Sequence, residues 1–447
     1  MKRLLAATGA ASLLSACATT EPELVVPDVD VPPVYAADLP PSGIEREWWL
    51  GYDDPVLDAL VRQGLAANLD IDAAADRLDS AAALLRAERS DLLPSVDGTA
   101  EAGVSLSNDS AITATAGLFG LFNPDINGRL AAEVRAAAAD YAEAEYILAD
   151  QSRIVAAAIA SQYIEYRRTG AQLELLEQST DLQEQTLRIV TLRFEAGLAA
   201  NLDVRRAAAD LAQTQARRGL IEIARNEAEN ALAILLAEPP GVFSVPATNG
   251  GRIRDYGRGP PAGIPAELLR RRTDILAAEA RLVRAAADIG IERADLRPSL
   301  TIPGTLGIGD GTLGGLFGNF LIGIGAALDL PLFDGGRRRA EVAAAESEAQ
   351  ARLAEYNAVF LNALGEVENA LVAIEAYRQR SRALSDAIEE SEVALSQSNA
   401  LYREGLASLF DVLDAQRQLI ASRQSLIDSE ASLARSYTAF HAGIGSD

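Results

Sequence analysis

This sequence contains almost none of the side chains that most often carry out catalysis or bind metals. Its 447 residues include one cysteine, Cys17, and one histidine, His441. Nucleophilic pairs with histidine and tetrahedral zinc sites need more such side chains than this. Carboxylates are abundant, but pairs such as Glu389 and Glu390 come without a neighbouring base and are typical of a solvated helix face. The sequence therefore predicts no catalytic, metal or cofactor site, and no enzyme.

Cys17 follows a segment with the features of an export signal. Lys2 and Arg3 are basic, and residues 4–14 are mostly small or apolar, in a run too short to cross a bilayer as a mature helix. The four residues Leu-Ser-Ala-Cys that end at Cys17 resemble the lipobox of bacterial lipoproteins. In a lipobox the cysteine is acylated and becomes the first residue of the mature chain.

We therefore expect residues 1–16 to be a signal peptide, and residues 17–47 to be a lipid anchor and a proline-rich linker. Several acyl chains, palmitate among them, would give stable anchoring where one would not. Ala18 stands where an aspartate marks inner-membrane retention in some bacteria, so the resemblance favours the outer membrane. The alternative is that the lone cysteine is a buried apolar side chain.

The composition excludes two further classes of protein. A net charge of −24 argues against a nucleic-acid partner, because phosphate binding needs a basic surface. After the signal, the sequence has no run of about 18 apolar residues and thus predicts no transmembrane helix. If this chain enters a membrane, it must do so as β-strands.

The chain contains a tandem internal repeat. Residues 88–95 (ERSDLLPS) match residues 292–299 (ERADLRPS) at six of eight positions, and further matches keep an offset of 204 to 208. The repeats, 48–237 and 266–447, are joined by a linker rich in proline and glycine at 238–265.

Each repeat predicts the same order of elements: a helix, a pair of strands, an unusually long helix and a return helix. In the first repeat the strand pair is predicted at about 95–122, the long helix at about 128–196 and the return helix at about 201–237. In the second repeat they are predicted at about 298–331, 336–404 and 408–443.

The strand segments alternate polar and apolar residues over about ten positions, the length that a tilted strand needs to cross a bilayer. Phe320, Ile322 and Ile324 would share one face. Small soluble hairpins alternate in the same way. If these strands are in a membrane, the chain must be an oligomer, because four strands cannot close a barrel.

The long helices carry a heptad pattern. From Leu353 to Tyr402, apolar residues recur at every seventh position with one polar exception, Ser381, which predicts left-handed coiling around neighbouring helices. At about 1.5 Å per residue such a helix is roughly 100 Å long. Gly197 and Gly405 are the predicted C-caps, and Ser408 begins a predicted capping box for the return helix.

Four stretches in this order resemble the TolC-type outer-membrane factors, specifically the lipoprotein branch that includes OprM and the NodT-like efflux proteins. The stretches begin WWLGYDDPVLDALV at Trp48, PAELLRRRTDILAAEARL at Pro265, LPLFDGGRRRAEV at Leu330 and YREGLASLFDVLDAQRQL at Tyr402. The resemblance covers essentially the whole mature chain.

This resemblance implies a mainly α fold with membrane β-structure. It implies a homotrimer in which four strands per chain form a 12-stranded outer-membrane β-barrel, continuous with a periplasmic α-helical barrel. It also implies a passive exit duct of a tripartite, RND-type efflux pump in the outer membrane of a Gram-negative bacterium. The implied partners are outer-membrane lipid, a periplasmic adaptor (membrane fusion) protein and an inner-membrane transporter that supplies the energy.

The resemblance also implies functional residues. Asp411 and Asp414 match the entrance aspartates of the family and would form a carboxylate ring that attracts cations; the alternative is that Asp411 only caps its helix. Asp203 and Tyr402 match positions that hold the entrance closed in some members, although Tyr402 could equally be a core residue. The tips that face the adaptor would be Gly197, Leu198, Gly405 and Leu406.

The sequence departs from the family pattern at several points. Thr273 replaces a usual proline, Ala407 replaces an arginine that assists closure in some members, and the first strand hairpin has a short tip, SNDSA. The three arginines at 337–339 could meet anionic lipid or lie in solvent.

Three other functions remain open. A structural coiled-coil lipoprotein would account for the lipobox and the heptads but not for the strands. A periplasmic adaptor should show one helical hairpin rather than two. An outer-membrane duct for type I protein secretion differs from the efflux duct only in its cargo.

Overall fold

The computed structural model describes residues 47–105, 111–246, 269–308 and 320–444. The predicted signal peptide, the lipidation site Cys17, nearly all of the short tip of the first strand hairpin and most of the inter-repeat linker lie outside the described residues.

The described elements follow one another as two similar series. A 3₁₀ turn at Trp48–Tyr52 opens the chain. The first series is α1 (Pro55–Ala67), α2 (Leu69–Ser90), β1 (Ser95–Ser105), β2 (Ala111–Phe122), α3 (Arg129–Glu195), α4 (Asn201–Gln215) and α5 (Arg218–Leu235). The second is α6 (Thr273–Ala294), β3 (Ser299–Ile308), β4 (Phe320–Ile324), β5 (Ala327–Asp329), α7 (Arg337–Arg403) and α8 (Leu409–Gly443).

The two long helices have the same length. Helices α3 and α7 each contain 67 residues. Helix α7 begins 208 residues after α3, whereas β3 begins 204 residues after β1. The second series is therefore four residues longer between the start of its first strand and the start of its long helix. In the part of the chain that the structure describes, no helix is apolar enough over a sufficient length to cross a membrane.

The strands form one antiparallel sheet in the order β1-β2-β3-β4, with β5 also pairing with β3. The register places Ala100 opposite Ala116, Leu118 opposite Leu306, and Leu306 opposite Ile322, so even-numbered residues share one face. That face carries exposed apolar side chains on all four strands: Val96, Val104, Leu118, Leu306, Phe320, Ile322 and Ile324. The alternation predicted from the sequence is confirmed, and its apolar face extends across the sheet.

The last strand is interrupted, which the sequence reading did not anticipate. Strands β4 and β5 pair with β3 in one continuous register, in which Gly325 falls opposite Pro303. The Gly325 N–H donates to the Pro303 carbonyl over 2.9 Å. Proline has no N–H to return this hydrogen bond, so the ladder is broken at this point.

The return helix predicted at 201–237 is also divided. Helix α4 ends at Gln215 and α5 begins at Arg218. Neither Ala216 nor Arg217 is a proline or glycine. The Arg217 N–H bonds to the Thr214 carbonyl, three residues back rather than four, so a tightened turn separates the two helices.

One of the two compact units of the chain contains the strands. It includes Ala74–Leu148 and Asp274–Val359. Within it α6 is buried along an alanine-rich face that includes Ala278, Ala285 and Ile289. Ion pairs between α6 and the long helices surround this face: Arg281–Glu143, Arg284–Asp140 and Arg293–Glu346.

The other compact unit includes Asp30–Ala73, Ala149–Thr273 and Phe360–Asp447. The 3₁₀ turn docks on the C-terminal half of α8 in this unit. The Trp48 ring stacks on the His441 ring with 5.6 Å between centroids and 5° between planes. The Tyr52 hydroxyl donates to the Ala434 carbonyl over 2.6 Å. Burial lowers the pKa of His441 to about 4.

A buried polar cluster joins α1 to α3. Asp54 caps the N-terminus of α1, and its Oδ2 accepts hydrogen bonds from the Tyr163 hydroxyl at 2.8 Å and from Arg167 Nη1 at 3.0 Å. Both side chains of the Asp54–Arg167 ion pair are about nine-tenths buried. A pair withdrawn from water in this way depends on both partners, because either charge left alone would be costly.

The heptad pattern of the second long helix matches its burial. Phe360, Val367, Ile374 and Leu395 are buried at the predicted seven-residue spacing. The polar exception, Ser381, is partly buried, and its hydroxyl lies 2.9 Å from the Ser429 hydroxyl on α8, within hydrogen-bonding distance.

Candidate functional site

Both long helices end in the same glycine turn. At the end of α3, Gly197 has φ 76°, the Leu198 N–H donates to the Arg193 carbonyl and the Gly197 N–H donates to the Phe194 carbonyl. This is a Schellman motif, which needs a left-handed residue that glycine adopts without strain. At the end of α7, Gly405 has φ 74° and the same pattern of hydrogen bonds. We call residues 193–204 the first tip and residues 401–414 the second tip.

The predicted capping box is present in the second tip. Asp411 Oδ2 accepts hydrogen bonds from the Ser408 N–H at 2.8 Å and from the Ser408 hydroxyl at 2.7 Å. These hydrogen bonds hold the pKa of the exposed Asp411 carboxyl below its usual range. Asp411 therefore caps its helix, which was the alternative to a purely functional role, and it also keeps its negative charge under mildly acidic conditions.

Asp414 lies on α8, three residues after Asp411. Its side chain is exposed, and it makes no hydrogen bond or ion pair with any described residue. Residues three apart on a helix share a face. Of the two aspartates, Asp414 therefore has the carboxylate that remains available to an external cation.

Tyr402 is a core residue of the tips. It is 7 % exposed and belongs to a hydrophobic cluster with Val190, Leu395 and Leu409. Its hydroxyl is buried and has no hydrogen-bond partner among the described residues. Burial raises the pKa of Tyr402; the Arg193 guanidinium opposes this rise and the Asp203 carboxylate adds to it.

Asp203 lies in the first turn of α4, and Arg206 is 3.9 Å from its carboxylate. The structure thus brings Asp203 into electrostatic range of Tyr402, but no hydrogen bond joins the two side chains.

Arg193 was not identified by sequence reasoning. Its Nη1 donates to the carbonyls of Tyr402 at 3.1 Å and Arg403 at 3.2 Å, which are at the C-terminus of α7. Its guanidinium carbon lies 4.7 Å from the centroid of the Tyr402 ring. Arg193 and Tyr402 are 209 residues apart, so no local pattern could have revealed this contact.

Large apolar side chains are exposed at equivalent positions of the two tips. Leu198 is 69 % exposed and its repeat counterpart Leu406 is 77 % exposed. Leu202 and its counterpart Phe410 are also exposed. Leucine at these positions is not needed for the glycine turns, whose hydrogen bonds are made by the backbone.

Among the described residues, no group of three histidine, cysteine or carboxylate side chains could hold a metal ion.

Comparison with known proteins identifies the family to which this chain belongs. The sequence model of the family described as "Outer membrane efflux protein" matches residues 60–238 and 264–446, one match for each repeat. The chain belongs to the outer membrane efflux protein family. The two matches correspond to the tandem repeat and leave out only the N-terminal segment, the inter-repeat linker and the last residue.

Members of this family resemble the chain over nearly its full length. Nodulation protein T of Rhizobium leguminosarum bv. trifolii is 30 % identical over 97 % of this chain and 95 % of its own. The toluene efflux pump outer membrane protein TtgI of Pseudomonas putida is 29 % identical over 88 % and 86 %. The solved structure of the outer-membrane channel OprN has a TM-score of 0.89 at 29 % identity, covering 96 % of this chain and 99 % of its own.

As an outer membrane efflux protein, this chain has the TolC-like fold and is the outer-membrane channel component of an efflux pump. It is located in the outer membrane and extends into the periplasm. The family consists of transport proteins and is not a known family of enzymes.

Proposed function

We propose that three copies of this chain form a passive exit duct for small molecules. In this proposal the four-stranded sheet of each copy lies in the outer membrane, and the two tips face a periplasmic adaptor. An inner-membrane transporter supplies the energy in this proposal.

The main evidence for this proposal is the apolar face of the sheet. Exposed side chains such as Val96, Leu118 and Ile322 form one face, whereas Asp97, Thr99 and Glu101 lie on the other. The odd-numbered face is polar on β1 but also exposes Phe119, Leu121 and Leu321, whereas the even-numbered face is apolar across the whole sheet and fits lipid. Its outer strands, β1 and β4, have no further strand beside them in the described residues, so neighbouring copies could pair with them.

A groove in the strand-containing unit also favours association with further copies. It has a volume of about 600 Å³ and lies between α3 and α6. Small side chains line much of it, including Ala138, Ala142, Ala280 and Ala286. Alanine allows the backbones of neighbouring helices to approach closely.

The tips support contact with an adaptor. Leu198 and Leu406 expose large apolar side chains on turns whose backbone geometry is already satisfied. We propose that Gly197 and Gly405 set the shape of these tips and that the two leucines bind the adaptor. A variant with glutamate at both leucines should still form channels but should fail to restore efflux in cells that lack the chain.

Asp414 supports an acidic entrance. Its carboxylate is exposed and free of partners within the described chain, and Asp411 adds a second persistent charge nearby. In a threefold assembly, each chain would contribute both carboxylates to a constriction that attracts cations. Asp203 and Tyr402 would form the packed wall beside this constriction.

The proposal also includes a lipid anchor at Cys17. We propose acylation of Cys17, which mass spectrometry of the mature N-terminal peptide would detect.

Small molecules are the favoured cargo because a toluene efflux pump component is among the relatives. Polypeptide export remains the alternative, and export assays with the partner transporter would separate the two.

Single-channel recording tests the duct itself. The purified mature protein, whose mass in detergent should correspond to three chains, is inserted into planar bilayers while Mg²⁺ is added on one side at a time. Unitary currents blocked from one side only are the expected result. A protein of single-chain mass without current, both as wild type and as the Asp411→Ala/Asp414→Ala variant, would refute the duct.

A further inference from the structure

The two tips have the same backbone geometry. They differ in the side-chain contacts made by the last turn of each long helix. In the second tip, Arg193 from the last turn of α3 donates hydrogen bonds to the last turn of α7. The repeat counterpart of Arg193 is Leu401, an exposed side chain that cannot donate a hydrogen bond. Arg193 of the first tip therefore binds the second tip, and its counterpart Leu401 makes no equivalent hydrogen bond to the first tip.

Arg193 makes three contacts at once. One nitrogen, Nη1, donates to two carbonyls at the C-terminus of α7: the Tyr402 carbonyl, which also accepts from the Gly405 N–H, and the Arg403 carbonyl. Its positive charge lies at the negative end of the helix dipole. The flat guanidinium group also stacks 4.7 Å from the centroid of the buried Tyr402 ring.

We propose that Arg193 is a positioning residue that holds the second tip against the first in the resting channel. This inference rests on the proposed duct function and adds the residue that keeps its entrance in place. Separation of the tips requires the guanidinium to leave both carbonyls and the Tyr402 ring together. Loss of Arg193 should therefore favour the separated state.

The contact between Arg193 and Tyr402 also contains buried polar atoms whose hydration would favour its release. Arg193 Nε and the Tyr402 hydroxyl are both buried without a hydrogen-bond partner in the described residues. Buried polar atoms without partners are costly, and both would gain water when the tips separate. Their hydration would offset part of the loss of the Arg193 contacts, so the hold is reversible rather than permanent.

The geometry separates arginine from lysine. A lysine keeps the charge at the helix end, but its ammonium group has no planar fork that can lie flat on a ring while donating to two carbonyls. If only the charge mattered, Arg193→Lys would behave as wild type. If the whole arrangement matters, Arg193→Lys should remain close to Arg193→Gln.

Single-channel recording measures the effect as the ratio of open to closed time. We expect Arg193→Gln to raise this ratio about tenfold, the factor that corresponds to 1.4 kcal/mol, because several partly buried contacts are lost together. Arg188→Gln is the matched control. Arg188 lies on the same helix five residues earlier, is 65 % exposed and, among the described residues, pairs only with Glu184 at 3.7 Å, so its loss should leave the ratio unchanged.

A double-mutant cycle tests the contact with the ring. Tyr402→Leu should also raise the ratio, and the double variant with Arg193→Gln should show much less than the product of the two single effects. Independent effects that multiply would contradict a shared contact.

A second measurement does not depend on current. Spin labels at Glu195→Cys and Glu404→Cys, which are exposed at the two helix ends, report the separation of the tips. In Arg193→Gln the distance distribution should shift to longer values. The inference is overturned if Arg193→Gln lowers only the melting temperature, or if Arg193→Lys restores wild-type values. A wild type without current would refute the duct, while the label distances would still decide the role of Arg193.

Discussion

Acidification should destabilise this protein through His441. The histidine is 5 % exposed, stacks on Trp48 and makes a T-shaped contact with the Phe440 ring, with 5.5 Å between centroids. Burial lowers its pKa from 6.5 to about 4. Between these values the unfolded chain binds a proton that the folded chain does not, so the free energy of unfolding falls as the pH falls.

The magnitude follows from the two pKa values. The full difference of 2.5 units is worth about 3.4 kcal/mol, at 1.36 kcal/mol per unit, and it is reached below pH 4. Between pH 7.5 and pH 5 the expected loss is about 2 kcal/mol, because the unfolded histidine is almost fully charged at pH 5 and the folded one is not. Above about pH 7.5 the stability contributed by this group is nearly constant, because the histidine is then neutral in both states.

Intrinsic fluorescence is a direct assay. The chain has two tryptophans, Trp48 and Trp49, and both are buried in the segment that docks near His441. Urea unfolding of the detergent-solubilised protein, followed by fluorescence at pH 7.5 and pH 5, gives the pH-dependent loss. The variant His441→Phe keeps an aromatic ring at the stack but cannot titrate, so its loss should be smaller by about 2 kcal/mol. Equal losses in wild type and variant would refute the assignment.

Three further outcomes follow from described contacts. Asp54→Asn should lower stability by about 3 kcal/mol in urea unfolding, because it removes the carboxylate charge from a buried ion pair with Arg167. Asp414→Asn should remove most of the one-sided Mg²⁺ block of single-channel current, because of the two entrance aspartates Asp414 is the one whose exposed carboxylate does not cap the helix. Gly405→Ala should cost about 1 kcal/mol or more because of its left-handed backbone, whereas Gly365→Ala in the middle of α7 should gain about 0.5–1 kcal/mol.

These outcomes have internal controls. A new Cβ at Gly405 or at Gly365 would meet no atom within 4 Å, so the two alanine variants differ in backbone conformation and not in packing. Equal effects of the two would contradict the strain argument. Asp76→Asn removes an exposed carboxylate and should leave stability unchanged. Persistence of the full Mg²⁺ block in Asp414→Asn would place the cation site elsewhere.

Patterns that repeat locally could be predicted from the sequence. The heptad series, the alternating strands, the glycine turns and the Ser408 capping box depend on residues within a few positions of one another. The family resemblance then supplied the fold, because its motifs recur in order along the chain. The interruption of the last strand could have been predicted from Pro303, since a proline within a strand removes a donor from the ladder.

Contacts between distant residues could not be predicted in this way. Arg193 looked like an ordinary charged residue near a helix end, and only the folded chain places it over Tyr402. The buried cluster of Asp54, Tyr163 and Arg167 likewise joins residues more than 100 positions apart. The lipidation of Cys17 and the adaptor contacts of the tips remain predictions.

The equal length of the two long helices restricts how this chain can diverge. One residue inserted into α3 alone would turn every later side chain by about 100° and displace the first tip by about 1.5 Å along the helix. Arg193 would then point away from the end of α7. Insertions and deletions among natural variants should therefore accumulate around the strands, where the two series already differ by four residues, and should be selected against in either 67-residue helix unless both change together.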